Sequence, residues 1–393
     1  MQFGCKSLPG SSPVIRVEAL IRRLSLRLGF LLVFAGSPQA QVPVVSTWSG
    51  ISADWNIPGT WFHVPNGVPP AAPDPLAIPN NNGQFVFSVI IPSGTCNQSL
   101  TATVTNIEIL ASGTLELAAG QVESLITVNN AGELRIIGVG QLITPILTNN
   151  LDVVMNTGGL MLIGDIENFN QFDVQGAAFV TTGNFVNHSG ANLDISTGAL
   201  GLSAAVIDND GDINLLDAGA TLSNATGFNI VGSGDLDLRD PLAVLSTPSI
   251  LSNGSGHLIH GEGTVAAGVI SNSGAIVADS SFDQLDVDVI SDIDNDGTLK
   301  AQSFAHLDIG AGSINNSSVI HADSWGELDI DLGGGSFDHS GLMTATQGGQ
   351  LVVSDAAITS TGTINSENVG VVTLINCSHA GGTFQADSST LNA

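Results

Sequence analysis

The stretch that looks most like a chemical site is SDIDNDGTLKA, residues 291–301, in which Asp292, Asp294 and Asp296 alternate and Gly297 follows. Alternating carboxylates ahead of a glycine are how an EF-hand-type loop offers oxygen ligands to calcium, and a bidentate carboxylate at the twelfth position completes the shell. Counted from Asp292, that position is Ser303. The related VIDNDGDIN has Val206 where the first ligand would stand, and ISNSGAIVA, from Ile270, has no acid in its turn. A turn that keeps its glycine while its acids change is behaving as architecture. Asp292, Asp294 and Asp296 therefore remain candidates only for weak surface binding of calcium, and no other cofactor is expected.

The remaining reactive residue types do not assemble into a site. His257 and His260, in SGHLIHGEG, are three apart and fall on opposite faces of a strand, which suits a turn or surface role better than a metal pair. A polysaccharide lyase needs a basic residue to abstract a proton, and past residue 40 only Arg135, Arg239 and Lys300 are available, far apart in the chain. A glycoside hydrolase needs two carboxyl groups at a defined separation, one of them held protonated by its surroundings. Carboxylates abound in DVDV, DID and DGD, yet they recur at repeated positions and no pair stands out. No Ser/His/Asp set can be chosen from the many serines, and the cysteines have no metal-ligand spacing. The expected catalytic set is therefore empty.

Composition speaks to location. Lys6, Arg16, Arg22, Arg23 and Arg27 precede the apolar run LGFLLVFAG and the small-residue stretch SPQAQ, the pattern of a secretory signal peptide cut after Ala40. The apolar run is far shorter than the roughly 20 residues that span a bilayer. Of 36 acids only Glu18 precedes the cut, as do five of the 8 Lys and Arg, so the exported chain carries a net charge of about −32. That charge disfavours nucleic acid, anionic membranes and anionic polysaccharides as partners, and leaves an extracellular glycan or protein surface.

The elements that would position any site come from a repeat with a period near 21, clearest at Ile270 (ISNSGAIVADS), Ile293 (IDNDGTLKAQS), Ile314 (INNSSVIHADS), Phe337 (FDHSGLMTATQ) and Ile358 (ITSTGTINSEN). Less regular copies begin at Ile109, Val128, Val154, Val186 and Ile207. Each copy alternates: Ile293, Asn295, Gly297, Leu299 and Ala301 share one face, Asp294, Asp296, Thr298 and Lys300 the other. Period two is strand periodicity. A second short strand follows about 14 residues on, as in LDVDV from Leu285, LDIGA from Leu307, LDIDL from Leu328 and LVVSD from Leu351. A fixed period of this length marks a stacked array. The fold class is all-β, a single-stranded right-handed parallel β-helix (β-solenoid) with an N-terminal cap, of about 13 coils and roughly 60 Å at the spacing of hydrogen-bonded strands. An antiparallel sandwich gives no reason to repeat the same inward residue. Stacking does, because Asn130, Asn156, Asn209, Asn272, Asn295 and Asn316 would form an amide ladder, with His188 and His339 as substitutes within it.

Residues 1–40 are thus expected to be the signal peptide, 41–108 a Trp- and Pro-rich cap with the first strands, and 109–393 the repeats. Trp48, Trp55 and Trp61 lie close together and read as packing over the open edge of the first coil, with a carbohydrate-stacking platform as the alternative. Cys96 and Cys377 would stand at opposite ends, too far apart for a bridge.

The copies ISNSGAIVADSSFDQLDVDV and INNSSVIHADSWGELDIDL, with the opening TWSG, DWNIPGTW and VIIPSGT, resemble exported bacterial parallel β-helix repeat proteins of the autotransporter-passenger and haemagglutinin-adhesin kind. The resemblance spans about residues 45–393 and rests on Asn, Gly and aliphatic spacing. It implies a secreted or cell-surface adhesin-like scaffold without catalytic activity and assigns no site residues; a carbohydrate-active β-helix enzyme is the alternative.

Overall fold

The computed structural model describes residues 42–49, 53–57, 61–65, 79, 85–387 and 390–392; the expected signal peptide and Cys5 lie outside them. Among the described residues there is no helix, and strands stack in parallel as a β-solenoid of about 14 turns. No helix among them is long and apolar enough to cross a membrane.

Each well-formed coil has three strands. In one coil these are Asp292–Asn295, Thr298–Ala301 and His306–Gly310; in the next, Ser313–Asn316, Val319–Ala322 and Glu327–Asp331. Like positions meet like: Ile270, Ile293, Ile314, Phe337 and Ile358 form one file, and Leu285, Leu307, Leu328, Leu351 and Val372 another. These side chains are almost wholly buried and form one continuous core. Alternation in sequence thus becomes an apolar interior and a polar wall.

The glycines that follow the ladder strand are required by close packing. A Cβ on Gly297 would lie 2.0 Å from the Gly274 carbonyl oxygen, and one on Gly341 would lie 2.0 Å from that of Ser318. Ser318 takes the same position between Gly297 and Gly341, so the stacking favours a small residue there, most often glycine, while the acids vary.

Inside the first strand column runs one polar file, built from amides. Asn130 donates to Asn149 Oδ1 (2.8 Å), Asn149 to Asn168 (2.7 Å), Asn168 to Asn187 (2.8 Å) and Asn187 to Asn209 (2.8 Å). Farther on, Asn253 donates to Asn272 (2.8 Å), Asn272 to Asn295 (2.7 Å) and Asn295 to Asn316 (2.6 Å). The second N–H of these amides is given to a backbone carbonyl, as Asn130 does to Asp152, Asn272 to Thr298 and Asn295 to Val319. That fixes the amide orientation, so the whole file points one way along the axis.

The file differs from the sequence reading in three places. Asn156 stands outside it, at the end of the second-face strand Asp152–Met155, and Asn149, Asn168, Asn187 and Asn253 join instead. The early coils repeat every 19 residues, as Asn130 to Asn149 shows, whereas Asn272 to Asn295 spans 23; a single period near 21 therefore loses phase at the amino end. His188 is one residue past the inward position held by Asn187, and a slip of one flips the face: it stacks outside on Phe169 (3.9 Å) and meets Glu167 at 2.5 Å. His339, by contrast, takes the ladder position, with Asn316 donating to its Nδ1 (2.9 Å) and its Nε2 donating to the Thr363 carbonyl (3.1 Å).

The third departure is His257, which is buried in the ladder and not at the surface. Ile207 pairs with Ile230, but Ile230 pairs with Asn253, so the file shifts by two residues and Gly232 faces Asn209 where an amide is needed. His257 spans the offset: Asn209 donates to its Nε2 (3.2 Å) and its Nδ1 donates to Asn253 (2.8 Å).

At the amino end Val42–Trp48 lies parallel to Phe85–Gln98 and antiparallel to Trp61–Pro65. Trp48, Trp55 and Trp61 are 0–1% exposed and pack edge to face at 4.8–4.9 Å. The Trp61 indole donates to the Trp55 carbonyl (2.9 Å), so these rings are packing residues and not a platform. Cys96 and Cys377 are free thiols in an early and a late coil. Burial, and then the Asp54 charge, push the Cys96 thiol up, out of the range of thiolate chemistry. Maleimide labelling of residues 41–393 should therefore modify Cys377 alone under native conditions and both cysteines in denaturant, as mass spectrometry would count; native labelling of Cys96 would contradict the packing of the first coils.

Candidate functional site

The outer wall mixes polar residues with single exposed aliphatics such as Val139, Leu242 and Ile290, and along one seam exposed aromatic residues follow one another from coil to coil. The corner between the second and third strands of a coil is turned by Phe282, then Phe304, then Trp325 in three successive coils, with Gly348 and Val369 next in line. Phe282, Phe304 and Trp325 are 82%, 51% and 59% exposed. Their rings run in file and nearly parallel, with centroids 5.4 Å and 6.5 Å apart and interplanar angles of 20° and 5°. The backbone links them too: Phe282 N–H donates to the Phe304 carbonyl, Phe304 N–H to that of Ser324, and Trp325 N–H to that of Gln347.

All three aromatics hold a left-handed backbone, φ 70, 66 and 64°. For a residue with a Cβ that conformation costs about 1 kcal/mol or more. Gly348, at φ 81°, shows the strain-free solution one coil later, and the Trp325 ring lies over it, within 2.6 Å of where a Cβ would stand. Large apolar rings placed in water at a strained turn are doubly unfavourable for stability, so their worth lies in something else.

Polar groups border the seam. Asp279, Gln302 and Asp323 close the second-face strands on one side; Asp283, His306 and Glu327 open the third face on the other. Lys300 is held by Asp323 (3.4 Å) and His306 by Asp329 (3.2 Å). The Asp329 hydrogen bond holds the His306 imidazole above its ordinary value against the opposing effect of burial.

Upstream of Phe282 sits a carboxyl pair that the sequence reading missed. Glu262 has a buried Oε2 with no donor, and the group beside it is Asp283. Burial first, then the hydrogen bond and charge of Asp283, push the Glu262 carboxyl up to about 7. Asp283→Asn should bring the Glu262 midpoint down toward the ordinary carboxylate range, with burial still holding it above that. Carbon-detected carboxyl titration by NMR reads this directly; an unmoved midpoint would show that burial alone sets it.

The other residues singled out in the sequence are spread over the wall. Asp292, Asp294 and Asp296 point outward and are engaged by the following coil, Asp292 by Ser313 (2.5 Å), Asp294 by Asn315 (3.5 Å) and Asp296 by Ser317. Among the described residues no group of three or more His, Cys, Asp or Glu is close enough to hold a metal ion. His260 meets Asp279 (3.2 Å), Arg135 is clamped by Glu133 (2.6 Å) and Arg239 by Asp237 (2.6 Å). A groove of about 530 Å³ runs along the wall between Pro248, Ala267, Val289, Ile290 and Gly310, with Asp288 its one titratable group.

The seam left a trace in the sequence. Ser-Phe, Ser-Phe and Ser-Trp recur at one point of three consecutive copies, and an aromatic residue held at a turn position has no core to enter. The carboxyl pair left none, because Glu262 and Asp283 come from unequal coils.

No family model, curated protein or solved structure matches this chain.

Proposed function

We propose that the protein is a secreted or cell-surface, adhesin-like β-helix scaffold without catalytic activity. The observation that carries this reading is the file of exposed aromatic rings on an acidic solenoid wall whose other exposed apolar side chains are scattered aliphatics and single rings: it offers an adhesive line over three consecutive coils, open along its length, where an enzyme would need an enclosed, singular site. Export is supported by the basic, apolar and small-residue order of residues 1–40.

The alternative, a carbohydrate-active enzyme, draws on the Glu262 and Asp283 pair. Those carboxyls interact, and the interaction raises Glu262. The three bases past residue 40 are each paired with an acid, which removes the free base that a lyase needs.

Beads coated with residues 41–393 should adhere to cell or matrix surfaces, and the soluble chain should release no reducing ends or unsaturated products from a polysaccharide panel. Product formation that is lost in Glu262→Gln would sink the non-catalytic reading.

A further inference from the structure

We infer that the Phe282, Phe304 and Trp325 seam is a binding site for a neutral pyranose chain lying along the solenoid axis. The inference deepens the scaffold reading by naming what the adhesive line would take.

The first ground is shape. The centroids advance by 5.4 and 6.5 Å from coil to coil, comparable with the advance per unit of an extended sugar chain, so successive units can each meet a ring. Coils advance by about 4.8 Å, the spacing of hydrogen-bonded strands, and the ring centroids lie farther apart than that. A pyranose presents a C–H face, which an aromatic π system with its negative face attracts, and a rim of hydroxyl donors.

The second ground is the rim of the seam. Asp279, Asp283, Asp323 and Glu327 supply ionisable acceptors beside the rings, and Gln302 supplies both a donor and an acceptor. Asp279, Asp283 and Asp323 already accept from His260, Ser280 and Lys300, and sugar hydroxyls would bond to their remaining lone pairs and to Glu327. The formal net charge of −28 disfavours anionic glycans and nucleic acid on the same line.

The third ground is cost. Glycine fits the left-handed corner without strain, as at Gly348, so nothing in the fold demands an aromatic there. The same fact gives a benign variant. Trp325→Gly and Phe304→Gly place at each corner the residue its backbone favours, and should leave the chemical unfolding midpoint unchanged or raised.

Trp325 is its own reporter, because Trp48, Trp55 and Trp61 are buried and quenchers reach only the exposed indole. The full chain would be titrated with cellohexaose, mannohexaose, chitohexaose and laminarihexaose, and with hexagalacturonate as the anionic comparison, while acrylamide quenching is followed. At least one neutral hexamer should shield Trp325 and hexagalacturonate should not. Calorimetric affinity for that hexamer should fall at least tenfold in Phe304→Gly and in Trp325→Gly, with folding intact. Failure of every neutral hexamer to shield the indole, or binding that both variants retain, overturns the inference. A marked loss of stability in the glycine variants also overturns it, assigning the rings to packing between turns. Cleavage of a bound hexamer would instead remove the non-catalytic reading and leave the seam in place.

Discussion

Replacing one ladder amide, Asn272→Ala, should destabilise the surrounding coils by about 4 kcal/mol, close to a thousandfold in their opening constant. Asn272 accepts from Asn253 (2.8 Å) and donates to Asn295 Oδ1 (2.7 Å) and to the Thr298 carbonyl (3.1 Å). Truncation leaves one buried donor and two buried acceptors with those bonds unmade, each worth about 1–3 kcal/mol where water cannot enter. The three ladder amides involved are 0–1% exposed, so water cannot substitute. Solenoid stability is close to a sum of coil and interface terms, and the loss is local. Native-state hydrogen exchange is therefore the measurement, read at the amides of Ile270 and Ile293. Asn315→Ala is the matched comparison: its amide is exposed, reaches only Asp294 at 3.5 Å, and should change protection by no more than about 0.5 kcal/mol. Equal protection in the two variants would mean that the amide file does not hold the coils.

The same file shows what the sequence could and could not convey. Asn272, Asn295 and Asn316 were legible because their coils keep one phase, and inward asparagine at a fixed offset has no other physical reason than stacking. Asn156 misled because Val154 and Asn156 reproduce the aliphatic and Asn of the template at offsets zero and two, and 19-residue coils had slid past a 21-residue template. His257 was beyond reach: its place depends on a two-residue shift between Asn209 and Asn253, which is a property of strand pairing and not of composition. The outward acids were legible as wall, since alternation alone puts Asp292 and Asp294 opposite Ile293 and Asn295. The seam was legible only as a recurring Ser-aromatic pair, because its exposure depends on the turn conformation of Phe282, Phe304 and Trp325, and alternation says nothing about turns. Glu262 and Asp283 meet only once a long coil has returned the chain to the same corner.

His257 should make the fold acid-sensitive in a way that one substitution removes. Its Nδ1 donates to Asn253 and its Nε2 accepts from Asn209, so the neutral ring with the proton on Nδ1 is the only form that completes the file. A proton on Nε2 would face the Asn209 N–H groups, which are held in place because the Asn209 oxygen already accepts from Asn187. Burial accordingly pushes the imidazole down to about 4 from its ordinary 6.5. A base held below its unfolded value takes up a proton on unfolding, so its contribution is complete above about pH 6.5 and is lost as the pH falls through that value toward 4. The interval corresponds to about 3 kcal/mol. His339, also pushed down by burial, acts with the same sign, whereas Glu262, held up at about 7, gains stability on acidification. The raw pH profile mixes these terms; the difference between wild type and His257→Leu isolates one. At pH 8 the variant should be less stable, having lost both ladder bonds, and its deficit should shrink by about 3 kcal/mol by pH 4. Exchange at Ile230 and Leu251, on either side of the bridge, would report it. A deficit that stays constant across that range would mean that His257 does not titrate with unfolding, and that the neutral bridge is not what joins the two halves of the ladder.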